Sequence, residues 1–331
     1  KIVNFNHLRI FEDATTYTCI ILLDKEEKSQ LEFTSLNDKD KLLSLEKLEF
    51  SKVNFQDLNP KKWRLMNEVD FYNIRKIESL GTPLGEFAKI RVGIATLKDV
   101  LYFIDGNKQE GDYYIKEHRG RDYLIEKGIT RKIIKIATVN SDEELKRDRR
   151  RIIFPYVKRE DIHLPINEEE LKNKYPKSYL YLLGIKDELE KRDKEKNDIP
   201  KWYAYGRSQA LSLYGKKLLT KTFSNKPNFM IDEDEQSLFC NGYAVFPKND
   251  EDLIILKKIL NSKLMDYYTR KTSVEIEGDY QCYQKNFIEL FSIPEFSEEE
   301  KKIIINEKNK KKLTEFLIKK YGLKKVLDLI D

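Results

Sequence analysis

Apolar positions gather early in the chain. Residues 15–23, Thr-Thr-Tyr-Thr-Cys-Ile-Ile-Leu-Leu, are rich in β-branched and apolar side chains and run into Asp24-Lys25-Glu26-Glu27-Lys28. An apolar run closed by charge predicts a buried strand and a turn. Such a strand needs sheet neighbours, and residues 31–34 offer one nearby as a hairpin partner. The rest of its sheet is expected upstream of Lys1, which is not a Met, so the chain reads as a piece of a longer polypeptide.

Helical spacing takes over next. Residues 37–49 predict one helix and residues 68–80 another, the second with Val69, Tyr72, Ile77 and Leu80 on its apolar side and Gly81 as its stop. Thr82-Pro83 breaks the chain, which places a boundary near residue 81. Short β-rich runs follow at 87–94, at 100–104 with a turn at Asp105-Gly106-Asn107, at 133–139 and at 151–157. A charged helix is predicted over 168–196, interrupted near Pro176, and strands resume at 217–223 and 243–246. Residues 251–268 predict an amphipathic helix with Leu253, Leu256, Leu260, Leu264 and Tyr267 along one face. A lysine-rich helical region over 297–329 reads as a solvated appendage, and no repeat of 20 to 50 residues is seen.

Composition narrows the function classes. The 331 residues suffice for about two domains. With 62 Lys+Arg against 57 Asp+Glu, the formal charge is only +5, which argues against an indiscriminate polyanion binder. Hydrophobic residues at 40% and aromatics at 11% are enough for a substantial core. Charged residues reach 36%, so a short lysine run is weak evidence and only an unusual distribution of charge counts. Cys19, Cys240 and Cys282 have no paired spacing, which favours reduced thiols and an intracellular protein. No uncharged stretch is long enough for a membrane span, so no membrane partner is expected.

Catalytic signatures are missing. The chain has no GxxxxGK[ST] loop, no GxGxxG turn, no HExxH and no GxSxG elbow. His7, His118 and His163 are too dispersed to suggest a metal cluster, so no metal site is expected and each reads as a surface or packing residue. The Glu26-Glu27-Lys28 pattern is of a kind that arises by chance in so charged a chain.

One stretch departs from the background. Residues 201–230 hold six cations, six aromatics and no acid, where the chain average would give about five acids. Cations neutralise phosphates, aromatic faces stack on bases or sugars, and Arg207, Gln209 and Asn228 have the geometry for two-pronged contacts to base edges. Gly206 lets the backbone approach a ligand, which exposes its neighbour Arg207 to it. The alternative reading makes Trp202, Tyr203, Tyr205 and Phe223 core residues and the lysines a solvated face. A second basic cluster, Lys146 to Arg151 with Tyr156, Lys158 and Arg159, brackets Ile152-Ile153-Phe154 and is equally readable as a solvated charge run. A third, from Lys89 through Arg91 and Gly93 to Lys98, is a strand opening onto a glycine-containing turn.

Taken in order, these segments resemble a known family. They are Arg91-Val92-Gly93-Ile94-Ala95-Thr96, Arg150-Arg151-Ile152-Ile153-Phe154-Pro155-Tyr156, Trp202-Tyr203-Ala204-Tyr205-Gly206-Arg207-Ser208-Gln209 and residues 217–228. Asn241-Gly242-Tyr243-Ala244-Val245-Phe246, Ile259-Leu260-Asn261-Ser262-Lys263 and Ser292-Ile293-Pro294 complete the series. They are similar to the C-terminal target-recognition region of adenine-N6 DNA methyltransferases of restriction-modification systems, the TaqI-like specificity domain and its type IIG relatives. The resemblance covers most of residues 82–295. Residues 10–20 look like the last characteristic segment of that family's catalytic domain, and by position Phe11 would stack near a flipped adenine.

The chain departs from the family where activity is concerned. The Asn/Asp-Pro-Pro-Tyr/Phe loop is absent, since Asn59-Pro60 runs into Lys61-Lys62-Trp63, and the turn that binds S-adenosylmethionine is missing too. The resemblance therefore implies that an upstream methyltransferase domain of the same polypeptide supplies both. This chain alone would hold no cofactor and have no catalytic residues of its own.

The resemblance implies an α+β fold, a mixed sheet-and-helix target-recognition domain preceded by a fragment of a Rossmann-like methyltransferase sheet. Residues 1–34 would be the methyltransferase stub, 35–81 a helical connection, and 82–331 the recognition domain with its lysine-rich tail. Its partner would be double-stranded DNA in a bacterial or archaeal cytoplasm. The expected interface comprises Lys89, Arg91, Thr96, Lys98, Arg151, Tyr156, Lys158, Trp202, Tyr205, Arg207, Gln209, Lys217, Lys221, Phe223, Ser224, Asn225, Lys226 and Asn228. A stand-alone DNA-processing nuclease and an RNA- or protein-binding module remain the alternatives.

Overall fold

The computed structural model describes residues 1–14, 16–36, 38, 47–60, 62–192 and 201–324. The fold is α+β, with helices interspersed among seven sheets of two to four strands among the described residues. The helix expected over 37–49 falls largely on residues outside that description. Two compact units emerge, each made of more than one stretch of chain: residues 1–88, 222–228 and 254–331, and residues 89–221 and 229–253.

In the first unit, a four-stranded sheet runs in the order Cys19–Ile21, Ile2–Asn4, Gln30–Ser35, Ser51–Asn54. Ile2–Asn4 pairs antiparallel with the first of these and parallel with the third, with Val3 opposite both Ile20 and Thr34. Two expectations are corrected here. The apolar run supplies an edge strand of only three residues, and it is exposed, with Leu23 91% accessible. Residues 31–34 are not its hairpin partner, because Ile2–Asn4 stands between the two strands.

The helix Glu68–Ser79 forms as its spacing predicts. Asn67 caps it by accepting from the Asp70 amide, while Ile74 and Ile77 are buried. Gly81 ends it with φ +94°, where a Cβ would stand 2.2 Å from the Ile293 carbonyl. The chain can therefore pair Thr82–Pro83 with Ser292–Ile293 only because residue 81 lacks a side chain.

The helix expected over 251–268 is two helices, Asp252–Leu260 and Lys263–Thr272. Ser262 breaks it, taking an extended conformation and donating its hydroxyl back to the Ile259 carbonyl at 2.6 Å. The lysine-rich region is not an appendage. Its helices, Glu298–Asn306 behind a Ser297/Glu300 capping box and Lys310–Tyr321, bury Ile304, Leu313, Leu317 and Tyr321. The Tyr321 hydroxyl donates to the Ser292 carbonyl at 2.6 Å.

The second unit packs two four-stranded sheets, a three-stranded meander and a two-stranded ribbon. One sheet is ordered Phe229–Asp232, Lys217–Thr220, Tyr243–Pro247, Ala88–Val92, and the other Leu238–Cys240, Thr130–Lys135, Arg151–Ile153, Phe103–Ile104. The expected 151–157 strand divides at Phe154-Pro155, and Tyr156–Arg159 pairs instead with Ile162–Pro165. The charged helix becomes three short ones, Glu168–Lys174, Pro176–Gly184 and Lys186–Glu190, the first break lying before Pro176 as expected. An aromatic-rich core holds Tyr102, Phe154, Tyr156, Tyr181, Tyr203 and Tyr205.

Candidate nucleic-acid interface

Two of the basic segments, far apart in sequence, are joined through their backbones. The Gly206 amide donates to the Thr96 carbonyl and the Arg207 amide to the Ala95 carbonyl, both at 3.1 Å. The Gln209 side-chain amide donates to the Gly93 carbonyl at 2.7 Å. Both glycines are required by close approach: a Cβ on Gly206 would lie 2.4 Å from the Leu97 side chain, and one on Gly93 2.4 Å from the Phe239 carbonyl. The turn itself is tight. Leu97 sits at φ +61°, a left-handed conformation that a leucine adopts at a cost, and the Thr96 hydroxyl holds the turn by accepting from the Lys98 amide and donating to Asp99.

The residue that binds these segments together was not legible as a site residue. Arg192, at the end of the charged helical region, is 2% exposed and has no carboxylate partner among the described residues. Its Nε donates to the Leu189 carbonyl at 2.7 Å, and Nη2 donates to Trp202 at 2.8 Å. Nη1 donates to the Ala204 carbonyl at 2.6 Å and to the Tyr102 hydroxyl at 3.0 Å, with the Thr96 carbonyl a further 3.4 Å neighbour. A buried guanidinium of this kind converts three separate loops into one platform, since each carbonyl loses a strong donor if a loop moves. An arginine just beyond an acid-rich helix gives no sequence signal for that role.

On this platform Arg91 is exposed and Arg207 half-buried. Each guanidinium bonds only a backbone carbonyl, that of Ile90 or of Gly206, and neither has an acidic partner among the described residues. Lys89, Lys98 and Lys158 are exposed and likewise form no ion pair there. These cations share one unit and are available to a phosphate. Lys221 and Arg151 are half-buried; Lys221 donates to Asn140 at 2.7 Å, and Arg151 lies 5.5 Å from the Tyr114 ring centre. Gln209 is exposed, but its Nε2 already serves Gly93.

Four expected contacts in this unit leave the surface. Tyr205 is 2% exposed, its hydroxyl donating to the Ile153 carbonyl and its ring edge-on to those of Tyr102 and Tyr156, at 4.9 and 5.0 Å. Tyr156 is buried because its hydroxyl accepts the Tyr205 amide at 2.6 Å. Burial pushes both phenols well above their usual pKa. Lys217 is fully buried in an ion pair with Asp232 at 3.0 Å, and desolvation pulls its pKa down against that partner. Thr96 is buried as the organiser of its turn. Trp202 is half-buried, its indole donating to Glu168 at 3.1 Å and Lys186 lying over its ring. Tyr156 and Tyr205 thus offer no exposed face to a base, and the core alternative holds for Tyr203 and Tyr205.

The remaining expected residues belong to the other unit. Phe223–Ser224 forms a strand against Tyr280–Cys282, with Phe223 half-buried and Ser224 buried. Asn225 and Lys226 are exposed and Asn228 is half-buried. The Asn225 carbonyl accepts from Arg270 at 3.1 Å. Phe11 is 60% exposed.

Two titratable groups in the unit formed by residues 89–221 and 229–253 are held neutral. His163 lies between Ser212 at 2.8 Å and Tyr214 at 3.0 Å, and burial with the nearby cations Arg131 and Lys158 lowers its pKa to about 4. Burial pushes the Cys240 thiol up to about 12, which leaves it inert as a nucleophile. Among the described residues, no three His, Cys, Asp or Glu side chains are grouped to hold a metal ion, and no helix is long and apolar enough to cross a membrane.

The chain's relatives are type II restriction and methyltransferase proteins. It is 28% identical, over 81% of its length, to the type II restriction enzyme and methyltransferase RM.Eco57I of Escherichia coli, and spans 29% of that protein. Over 42% of its length it is 33% identical to the type II methyltransferase M.MjaIV of Methanocaldococcus jannaschii, spanning 48% of it. Among solved structures, the type IIL restriction-modification enzyme MmeI, in complex with DNA, shares the fold across 96% of the chain and 37% of its own, with a TM-score of 0.51 and 12% identity. No protein-family model matches. The chain is a homologue of type II restriction-modification methyltransferases, as its ordered motifs imply, and spans less than half the length of these curated relatives.

Proposed function

We propose that this chain is the target-recognition part of an adenine-specific type II restriction-modification methyltransferase and grips double-stranded DNA through the unit formed by residues 89–221 and 229–253. The observation that carries the reading is the platform joining residues 93–96 to residues 206–209, which presents Arg91 and Arg207 without acidic partners among the described residues. Lys89, Lys98 and Lys158 add cations able to fix position on phosphates, and Arg207 is the candidate for reading a base edge. In the other unit, Asn225, Lys226 and Asn228 remain candidate contacts, and Phe11 the candidate for stacking on a flipped adenine.

In this reading residues 1–34 are the end of a methyltransferase domain, 35–81 connect, and 82–331 recognise the target. S-adenosylmethionine and the adenine-holding loop come from the upstream domain of the parent protein, which works on DNA in a bacterial or archaeal cytoplasm. The test is selection of the purified chain on random duplex DNA at two salt concentrations, followed by sequencing of the retained fraction. A short enriched motif with steep salt dependence is the expected result. Arg207→Ala should cost about 1 to 3 kcal/mol of specific binding if it reads a base, or lower the salt slope by about one if it holds a phosphate. Absence of duplex binding, or a preference for single-stranded RNA, would overturn the proposal.

A further inference from the structure

The second basic cluster, Lys146 to Arg151, does more than form a solvated run. Arg147, Arg149 and Arg150 line an open cleft of about 620 Å³ with Phe103, Asp105 and Asn107. A cleft of this size falls in the range of small-ligand sites, roughly 300 to 1,000 Å³. The cleft is built by a close approach. Gly106 presses on the Arg149 backbone so tightly that a Cβ there would meet the Arg149 carbonyl at 1.8 Å.

Its charges are unequally engaged. Asp148 accepts the Arg150 amide at 2.9 Å and lies 3.7 Å from the Arg150 guanidinium, which also donates to the Thr138 hydroxyl. Glu144 accepts the Asn140 amide at 2.8 Å, and Asp105 accepts the Asn107 amide at 3.0 Å. Each acid is thereby tied to its own turn. Arg147 and Arg149 are exposed and make no hydrogen bond or ion pair among the described residues. Such guanidiniums suit the planar, two-pronged geometry of a phosphate. The cleft also offers a half-buried aromatic ring at Phe103 and acceptor oxygens at Asp105 and Asn107, features that fit a base bearing an amino group.

We infer that this cleft is a nucleotide site, with Arg147 and Arg149 holding the phosphate and the Phe103, Asp105 and Asn107 side facing the base. The inference does not depend on the recognition role of Arg91 and Arg207. The same chemistry is offered by a nucleotide within a DNA strand and by a free mononucleotide.

The test is calorimetric titration of the full chain with 5′-dAMP and 5′-dCMP, with inorganic phosphate as comparator, in the wild type and in an Arg147→Gln/Arg149→Gln variant. Saturable nucleotide binding, tighter than phosphate and weakened at least about tenfold in the variant, is expected from the loss of charged hydrogen bonds. Neither side chain makes a hydrogen bond or ion pair among the described residues, so the variant should keep the wild-type melting temperature. An Arg147→Lys/Arg149→Lys variant, which keeps the charge but not the fork, should fall between the two. Displacement of bound nucleotide by a short duplex would identify the occupant as part of DNA, and simultaneous binding of both would identify a free nucleotide. Unsaturable binding, or equal affinity in wild type and the Gln variant, would overturn the inference. Loss of duplex selection with nucleotide binding intact would count against the recognition proposal alone.

Discussion

The side chain of Gln209 is hydrogen-bonded to the backbone carbonyl of Gly93, 116 residues earlier in the chain, at 2.7 Å. A residue with the right chemistry for an adenine edge is thereby used to hold two loops together. What the pair leaves outward is Arg91 on the strand Ala88–Val92 and the half-buried Arg207 in the loop beside Gly206. Four properties of this fold are measurable.

Replacing Arg192 with Met should destabilise the unit formed by residues 89–221 and 229–253 by more than about 2 kcal/mol, because the carbonyls of Leu189, Trp202 and Ala204 lose their donor. Urea unfolding monitored by tryptophan fluorescence measures it, since Trp202 lies in the affected loop. A loss within a few tenths of a kcal/mol would show that the loops hold without the guanidinium.

Gly206→Ala places a methyl group 2.4 Å from Leu97, in a turn already held at positive φ. Overpacking of this kind typically costs about 1 to 3 kcal/mol. Duplex binding should fall with stability, because relieving the clash shifts either the loop that carries Arg207 or the Leu97 turn bonded to it. Gly184→Ala, where an added methyl meets nothing within 4 Å, is the matched control.

Lys217 and Asp232 form a fully buried pair, and the Ser237 hydroxyl also donates to the carboxylate. Lys217→Met alone should cost about 3 to 5 kcal/mol by stranding a buried charge, whereas the double change Lys217→Met/Asp232→Leu should recover most of that loss. Thermal unfolding of both variants provides the comparison. Equal damage from the single and double changes would show that packing, and not the unpaired charge, dominates the site.

The neutral state of His163 makes stability depend on pH. Its folded pKa is about 4, below the unfolded value of 6.5, so the unfolded chain takes up the proton first as pH falls. The contribution is fully present above the unfolded value and is lost progressively down to the folded one. Urea midpoints at pH 7.5, 6 and 5 should decline more steeply for the wild type than for His163→Gln, which has no proton to gain. Parallel slopes would remove the histidine from the account.

Several elements were readable from local pattern alone. The helix Glu68–Ser79, its stop at Gly81, the turn at Asp105-Gly106-Asn107 and the break before Pro176 depend on residues within a few positions of one another. The ordered motifs also identified the relatives. By contrast, the 251–268 helix was misread as continuous because its leucine stripe continues across Ser262, while the side chain there turns back to cap the preceding carbonyls.

The amino-acid sequence by itself determined the chemistry available in residues 201–230: cations and aromatics, and no acids to cancel them. Only the tertiary structure decided which of those groups face outward. Tyr205 and Lys217 turned inward because their polar atoms found Ile153 and Asp232, 52 and 15 residues away, whereas Arg207 found only its neighbour's carbonyl. Burial of a polar group is favourable only where a partner meets it. Composition carries no record of such partners, because the fold alone brings them within hydrogen-bond distance.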